Sequence, residues 1–262
     1  MDLSLHEPMY YFLCMLAMSD LGLSTSIVPK SLSIFWFNSS EIDFSACLAQ
    51  LYFIHCFRVI ESGILVAMAL DRYVAICLPL RHCTILTSAM LTKLVLAIVL
   101  RGGMFALPFV LLVRQWSYCG TNMVPLPYCV HIAVVGLACG DTRASSYYGL
   151  FALSCINGLD MIFIVVSYIL ILRAIFRLPT KDARIKTFKT CISHLCSILV
   201  FHIPGFYFSF SGRFDKKKPH PVQVLISVMY YVMPPMLHPI IYGVMTKQIW
   251  SRILYFFVHK GS

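Results

Sequence analysis

The chain has 262 residues, 59% hydrophobic and only 12% charged, against about 25% charged in an ordinary soluble domain. That balance excludes a water-soluble enzyme or binding domain and implies one all-α membrane bundle spanning residues 1–262 as a single domain. A formal net charge of +10 suggests nucleic acid at first sight. The basic residues are instead sorted by loop, which is the pattern of a membrane protein with no nucleic-acid partner.

A span needs about 20 mostly apolar residues, and six stretches qualify: 9–35, 47–77, 90–113, 147–176, 188–210 and 222–244. In the first, Asp20 lies twelve residues beyond Pro8, about 18 Å of helical rise and near the bilayer middle. The short loop after it contains Asn38-Ser39-Ser40, a glycosylation sequon at Asn38 lying close to the membrane. In the second span Glu61 is eleven residues before Arg72, about 17 Å, which puts it at the depth of Asp20. Two arrangements are open for it: a polar site shared with Asp20 that holds a proton, water or sodium, or an acid satisfied by Arg58 one turn earlier.

The third span carries Arg101 and Pro108, and a long loop from Arg114 to Ser146 follows with Cys119, Cys129 and Cys139. The fourth has Asp160 near its middle and ends at Tyr168 and Arg173. The fifth ends with Ser209 and Arg213, four apart and so on one helical face. The sixth contains Pro234, Pro235 and Pro239, tolerated in a membrane helix where neighbours or water re-satisfy the backbone. Residues 246–258, with Trp250, Tyr255, Phe256 and Phe257, form an amphipathic stretch expected to lie on the inner leaflet.

Orientation follows from the cations. Arg72, Arg81, Lys93, Arg173, Arg177, Lys181, Arg184, Lys186, Lys189, Lys247, Arg252 and Lys260 fall on one side. Lys30, Arg114, Arg143, Arg213 and Lys216 to Lys218 fall on the other. The richer side is expected in the cytoplasm with the C-terminus, and with six spans the N-terminus joins it. Cys47 and the three loop cysteines then face an oxidising compartment, where disulfides are permitted. No short-spaced zinc-type cysteine pair occurs, and no metal or cofactor is expected. Internal repeats of a transporter and a nucleophile–base set of an enzyme are both missing.

The run Met68-Ala-Leu-Asp-Arg-Tyr-Val-Ala-Ile-Cys-Leu-Pro79 places an ion pair at the cytoplasmic edge of the second span. Charge is costly there, so it is a functional candidate. This run, extended to Arg81, resembles the signature of odorant receptors, a branch of the rhodopsin-like G-protein-coupled receptors. Leu5 to Phe12, Ser167-Tyr168, Lys186 to His194 and Pro239-Ile-Ile-Tyr242 are similar to further motifs of that family, in order along the chain. The 129–142 loop and Thr246 to Ile249 resemble its class I, fish-like subgroup. His238 stands where the family pattern has Asn, and Thr187 where it usually has Ala.

The resemblance implies seven helices, of which this chain is expected to lack the first. It also implies disulfides Cys47–Cys129 and Cys119–Cys139. Asp71 would restrain Arg72 at rest, with Tyr73 completing the motif, and Tyr168 and Tyr242 would support the active state that meets a heterotrimeric G protein of the olfactory stimulatory type. Asp20, Glu61 and His238 would form a polar relay. A small odorant would bind in the outer half of the bundle. His55 is eight residues from Cys47, about 12 Å deep, and Ser209 with Arg213 caps the fifth span. Class I receptors favour acidic odorants, so Arg213 is the expected carboxylate partner, helped by His55 and Ser209, with Arg58 as a deeper substitute. The expected location is the plasma membrane, among lipid; the alternative is a truncated, non-signalling fragment or pseudogene product.

Overall fold

A computed structural model describes residues 8–119, 123–214, 221–246, 249–251 and 255, with the side chains of 208–214, 221 and 223 outside the description. Helix α1 runs Pro8–Phe37 and opens on a proline, whose missing N–H is no loss in a first turn. Helix α2 is Phe44–Cys77. Its start is fixed by Asp43, whose carboxylate accepts from the Ser45 amide at 2.8 Å and the Ala46 amide at 3.4 Å. It stops before Pro79, which opens a 3₁₀ turn ending at Arg81, followed by the short α3, His82–Ile85. Thr87 then caps α4, Ser88–Arg114, by accepting from the Met90 amide at 3.3 Å.

Outside the spans, β1 (Ser117–Tyr118) pairs antiparallel with β2 (Ala138–Cys139), and α5 (His131–Val135) lies between them. Helices α6 (Arg143–Leu153) and α7 (Asp160–Phe176) are joined without a break by a π-helical turn at Ser154–Leu159. They form one span that begins four residues before the expected 147. Helix α8, Lys181–Phe214, begins seven residues before the expected 188, because the basic loop ahead of that span continues the helix. Helix α9 is Pro221–Met245 and keeps Pro234, Pro235 and Pro239 inside it. Six helices among the described residues are long and apolar enough to cross a membrane. Of the 246–258 stretch, most lies outside the described residues.

Burial shows which helix is central. In the most apolar window of α2, 72% of residues are buried, against 22% in α4 and 28% in α6–α7. Helix α2 therefore packs on several sides, against α1, α4, α7 and α8, while α9 closes onto α8 and α1. The outer helices turn residues such as Met18, Leu107 and Phe163 outward. A water-soluble protein does not leave so many large apolar side chains uncovered.

Close approach of α4 to α2 depends on Gly102. A Cβ there would stand 2.6 Å from Ile60 Cγ1 and 3.1 Å from the Cys56 carbonyl oxygen, a backbone atom that cannot step aside. Gly102→Ala is therefore expected to destabilise the bundle by about 1–3 kcal/mol, read as a lower unfolding temperature in detergent. Gly103→Ala, whose nearest atom is the flexible Tyr52 hydroxyl at 3.2 Å, is the control and should cost much less.

Candidate functional site

Three polar levels are stacked along α2. At the Cys77 end of α2 Asp71 is buried and its two oxygens are divided between two partners. Oδ2 accepts from Arg72 Nε at 3.2 Å and Nη2 at 2.8 Å. Oδ1 lies 3.2 Å from His82 Nε2, which α3 brings back under the helix end. The expected Asp71–Arg72 pair is thus present, and His82, which sequence reasoning missed, joins it. Tyr73 packs into the apolar cluster of α2, α7 and α8 rather than onto the ion pair.

Nearby, Tyr168 and His194 tie three helices together. The Leu65 carbonyl can only accept, so His194 Nε2, at 3.1 Å, carries the hydrogen and donates. Nδ1 is then the acceptor for the Tyr168 hydroxyl at 2.7 Å. Tyr242 is buried against Ile64 and Met68 on the opposite flank of α2.

At mid-depth, His238 Nδ1 lies 3.1 Å from Asp20 Oδ1. Glu61 Oε2 accepts from Arg58 Nη1 at 2.7 Å, while Glu61 Oε1 has no hydrogen-bond partner among the described residues and the Asp20 carboxyl is near enough for the two acids to interact electrostatically. Glu61 is thus paired with Arg58, the second of the two arrangements open for it. A second pair, of a half-buried arginine and a buried aspartate, flanks this level: Arg101 Nη2 reaches Asp160 Oδ1 at 2.9 Å and Oδ2 at 2.8 Å, and Ser62 Oγ donates to Oδ2 at 2.6 Å. Both charged residues were visible as charges inside spans; nothing in their spacing said that they meet.

The outer level holds a cavity of about 110 Å³, lined by His55, Arg58, Phe109, His131, Asn157 and Tyr231 among others. That is below the about 150 Å³ of an apolar cavity that takes benzene, so its occupant is small. His55 Nε2 accepts from the His131 amide at 3.3 Å, and its ring stacks on Phe109 at 4.4 Å. The guanidinium of Arg58 lies between two rings, 3.9 Å from the centre of Phe201 and 4.1 Å from that of Tyr230. Such cation–π contacts reach about 2 kcal/mol when desolvated. Arg58 Nε and Nη2 find no hydrogen-bond partner among the described residues, nor does the Asn157 Oδ1 acceptor. Leaving buried donors unpaired costs about 1–3 kcal/mol each, so this wall is poised for a polar ligand group. A larger groove of about 450 Å³ between α1 and α9 is lined mainly by residues such as Ile27, Leu32 and Val228 and offers little to orient a ligand. Ser209 and Arg213 stand on the last turns of α8, but their side chains lie outside the described residues.

The cavity is roofed by the outer loop. A disulfide joins Cys47 to Cys129, and a second joins Cys119 to Cys139. Gln50 reinforces the first: its Oε1 accepts from the Cys129 amide and its Nε2 donates to the Ser26 carbonyl, both at 2.8 Å. Asn38 is exposed beyond the end of α1 with a φ of 51°.

The olfactory receptor family model matches residues 1–260. The chain is 49% identical over 253 residues to olfactory receptor 52R1 of Homo sapiens, covering 97% of this chain and 80% of that one. It is 48% identical to olfactory receptor 51E2 of Rattus norvegicus, covering 97% and 79%, and 48% identical to olfactory receptor 52A5 of Homo sapiens, covering 98% and 82%. The chain belongs to the olfactory receptor family.

This receptor is accordingly a rhodopsin-like G-protein-coupled receptor and a multi-pass plasma-membrane protein, and it is not an enzyme. Olfactory receptors bind odorants and couple to G proteins. Along α2 the receptor carries a small cavity near the Cys47 end, a charged layer in the middle, and the Asp71–Arg72 pair near the Cys77 end.

Proposed function

We propose that the whole chain, residues 1–262, acts as one receptor domain for small carboxylic-acid odorants and raises cAMP through a stimulatory olfactory-type G protein. The observation that carries the ligand class is Arg58, which lines the cavity and whose buried Nε–Nη2 edge has no hydrogen-bond partner among the described residues. A carboxylate matches such an edge in geometry and charge. His55 and Asn157 line the same space and orient the remainder of the molecule. Arg58 takes the role first given to Arg213; Arg213 and Ser209 are kept as outer partners at the end of α8. The sorting of Lys and Arg supports a cytoplasmic C-terminus, and a cytoplasmic N-terminus with six spans.

For the G-protein face, the support is the Asp71–Arg72 pair beside Leu80, which is 97% exposed in the 3₁₀ turn. A half-buried, releasable arginine beside an exposed turn suits a protein partner, arginine being enriched among the residues that carry binding energy. Odorant binding shifts the population toward a packing in which Arg72 leaves Asp71, to the extent that the odorant binds that packing better. The Asp20–His238 pair and Glu61 connect the levels, while Tyr168 and Tyr242 flank α2 below them.

The test is a cAMP assay in cells supplied with the stimulatory G protein, using butanoate and hexanoate. Arg72→Ala is expected to remove the response at least tenfold while surface antibody staining stays within about twofold. A retained response in that variant would sink the coupling assignment. Failure of every acid to raise cAMP in wild type, with normal staining, would sink the ligand class.

A further inference from the structure

Arg58 touches two systems at once. One edge of its guanidinium, Nη1, holds Glu61 at 2.7 Å, and Arg58 also lines the ligand cavity, its other edge, Nε with Nη2, buried without a hydrogen-bond partner among the described residues. Arg58 is 4% exposed and Glu61 0%, so water does not screen either contact. The ring sandwich of Phe201 from α8 and Tyr230 from α9 fixes the plane of the guanidinium. It can slide within that plane far more easily than it can tilt. Beyond Glu61 the Asp20 carboxyl lies within electrostatic reach, and Asp20 in turn pairs with His238 on α9 at 3.1 Å.

The geometry points to Arg58 as a shared counter-ion: an acid bound in the cavity competes with Glu61 for the same guanidinium, and the weakened Arg58–Glu61 contact passes occupancy to the Asp20–His238 pair. This inference rests on the acid-odorant reading and adds the residue that converts binding into a change at mid-depth. Two anions on one buried cation each bind more weakly than either alone, because each lowers the field the other feels. The coupling is therefore reciprocal: Glu61 restrains ligand affinity, and ligand loosens Glu61. A neutral ester of the same acid fills the cavity without entering this competition.

The experiment measures binding of butanoate and of methyl butanoate to purified receptor, wild type and Glu61→Gln. With the internal anion neutralised, butanoate is expected to bind about tenfold more tightly, the size of one charge-assisted contact released, while the ester changes by less than about twofold. A second measurement needs no variant: infrared difference spectra of wild type with ¹³C-carboxyl butanoate are expected to show a shifted protein carboxylate band, absent with the ester. Equal butanoate affinity in wild type and Glu61→Gln, or no carboxylate band change in wild type on butanoate binding, overturns the coupling and leaves the acid-odorant reading standing. If wild type binds the ester but not butanoate, the acid-odorant reading falls and this inference falls with it.

Discussion

Replacing Arg58 with methionine is expected to cost the folded receptor about 3–5 kcal/mol and to abolish its response to carboxylic acids. The stability loss comes less from the lost pair than from what remains. Glu61 is fully buried, and without Arg58 its carboxyl is left with no cation beside it, so it must either stay charged in an apolar site or take up a proton to fold. The double variant Arg58→Met, Glu61→Met removes both charges. It should recover most of the stability, because an apolar pair of similar volume often matches a buried ion pair. It should not recover the acid response, because the guanidinium edge is gone. Thermal unfolding in detergent and cAMP output, measured side by side, separate the two roles. A double variant as unstable as the single one would show that Arg58 matters through its stacking on Phe201 and Tyr230 rather than through charge.

Cys47→Ser is the second large effect. The disulfide closes a loop with a sequence separation of 82, and losing it costs about 2–5 kcal/mol, more than for shorter loops. The cost reaches the site as well. Cys129 is the anchor from which the loop runs directly into Val130 and α5, and the His131 amide donates to His55. Without the bond, only hydrogen bonds and packing hold the roof, among them Gln50 to the Cys129 amide, Tyr128 to Ser227 and the His131 amide to His55. Surface staining is expected to fall severalfold, and the receptor that does reach the surface should need higher acid concentrations. Cys139→Ser opens a separation of only 20 at the loop edge and should be milder. If the two variants behave alike, the roof is not held by Cys47.

Much of this was legible from the chain alone. Six apolar runs and their prolines point to the six long helices, and a rise of about 1.5 Å per residue puts Asp20 and Glu61 at one depth before any contact is known. The motif around Asp71 and Arg72, through its resemblance, pointed to the receptor family, and the implied cysteine pairs are the two disulfides present. The signal for His82 was also there, eleven residues after Asp71 with Pro79 between them. A proline that ends a helix folds the next residues back toward it.

Other parts were not legible, and the reason is geometric. Depth follows from hydrogen bonding within one helix, so sequence distance converts directly into height. Rotation about the helix axis and the choice of neighbour depend on how side chains interlock between helices. Arg101 and Asp160 meet across 59 residues, Tyr168 and His194 across 26, and Asp20 and His238 across 218, and no spacing rule spans such gaps. Arg58 is the sharpest case. Its sequence neighbours place it one turn from Glu61, which accounts for one edge of its guanidinium. That it also lines a cavity, beside a ring of α8 and a ring of α9, was settled only when three helices packed around it.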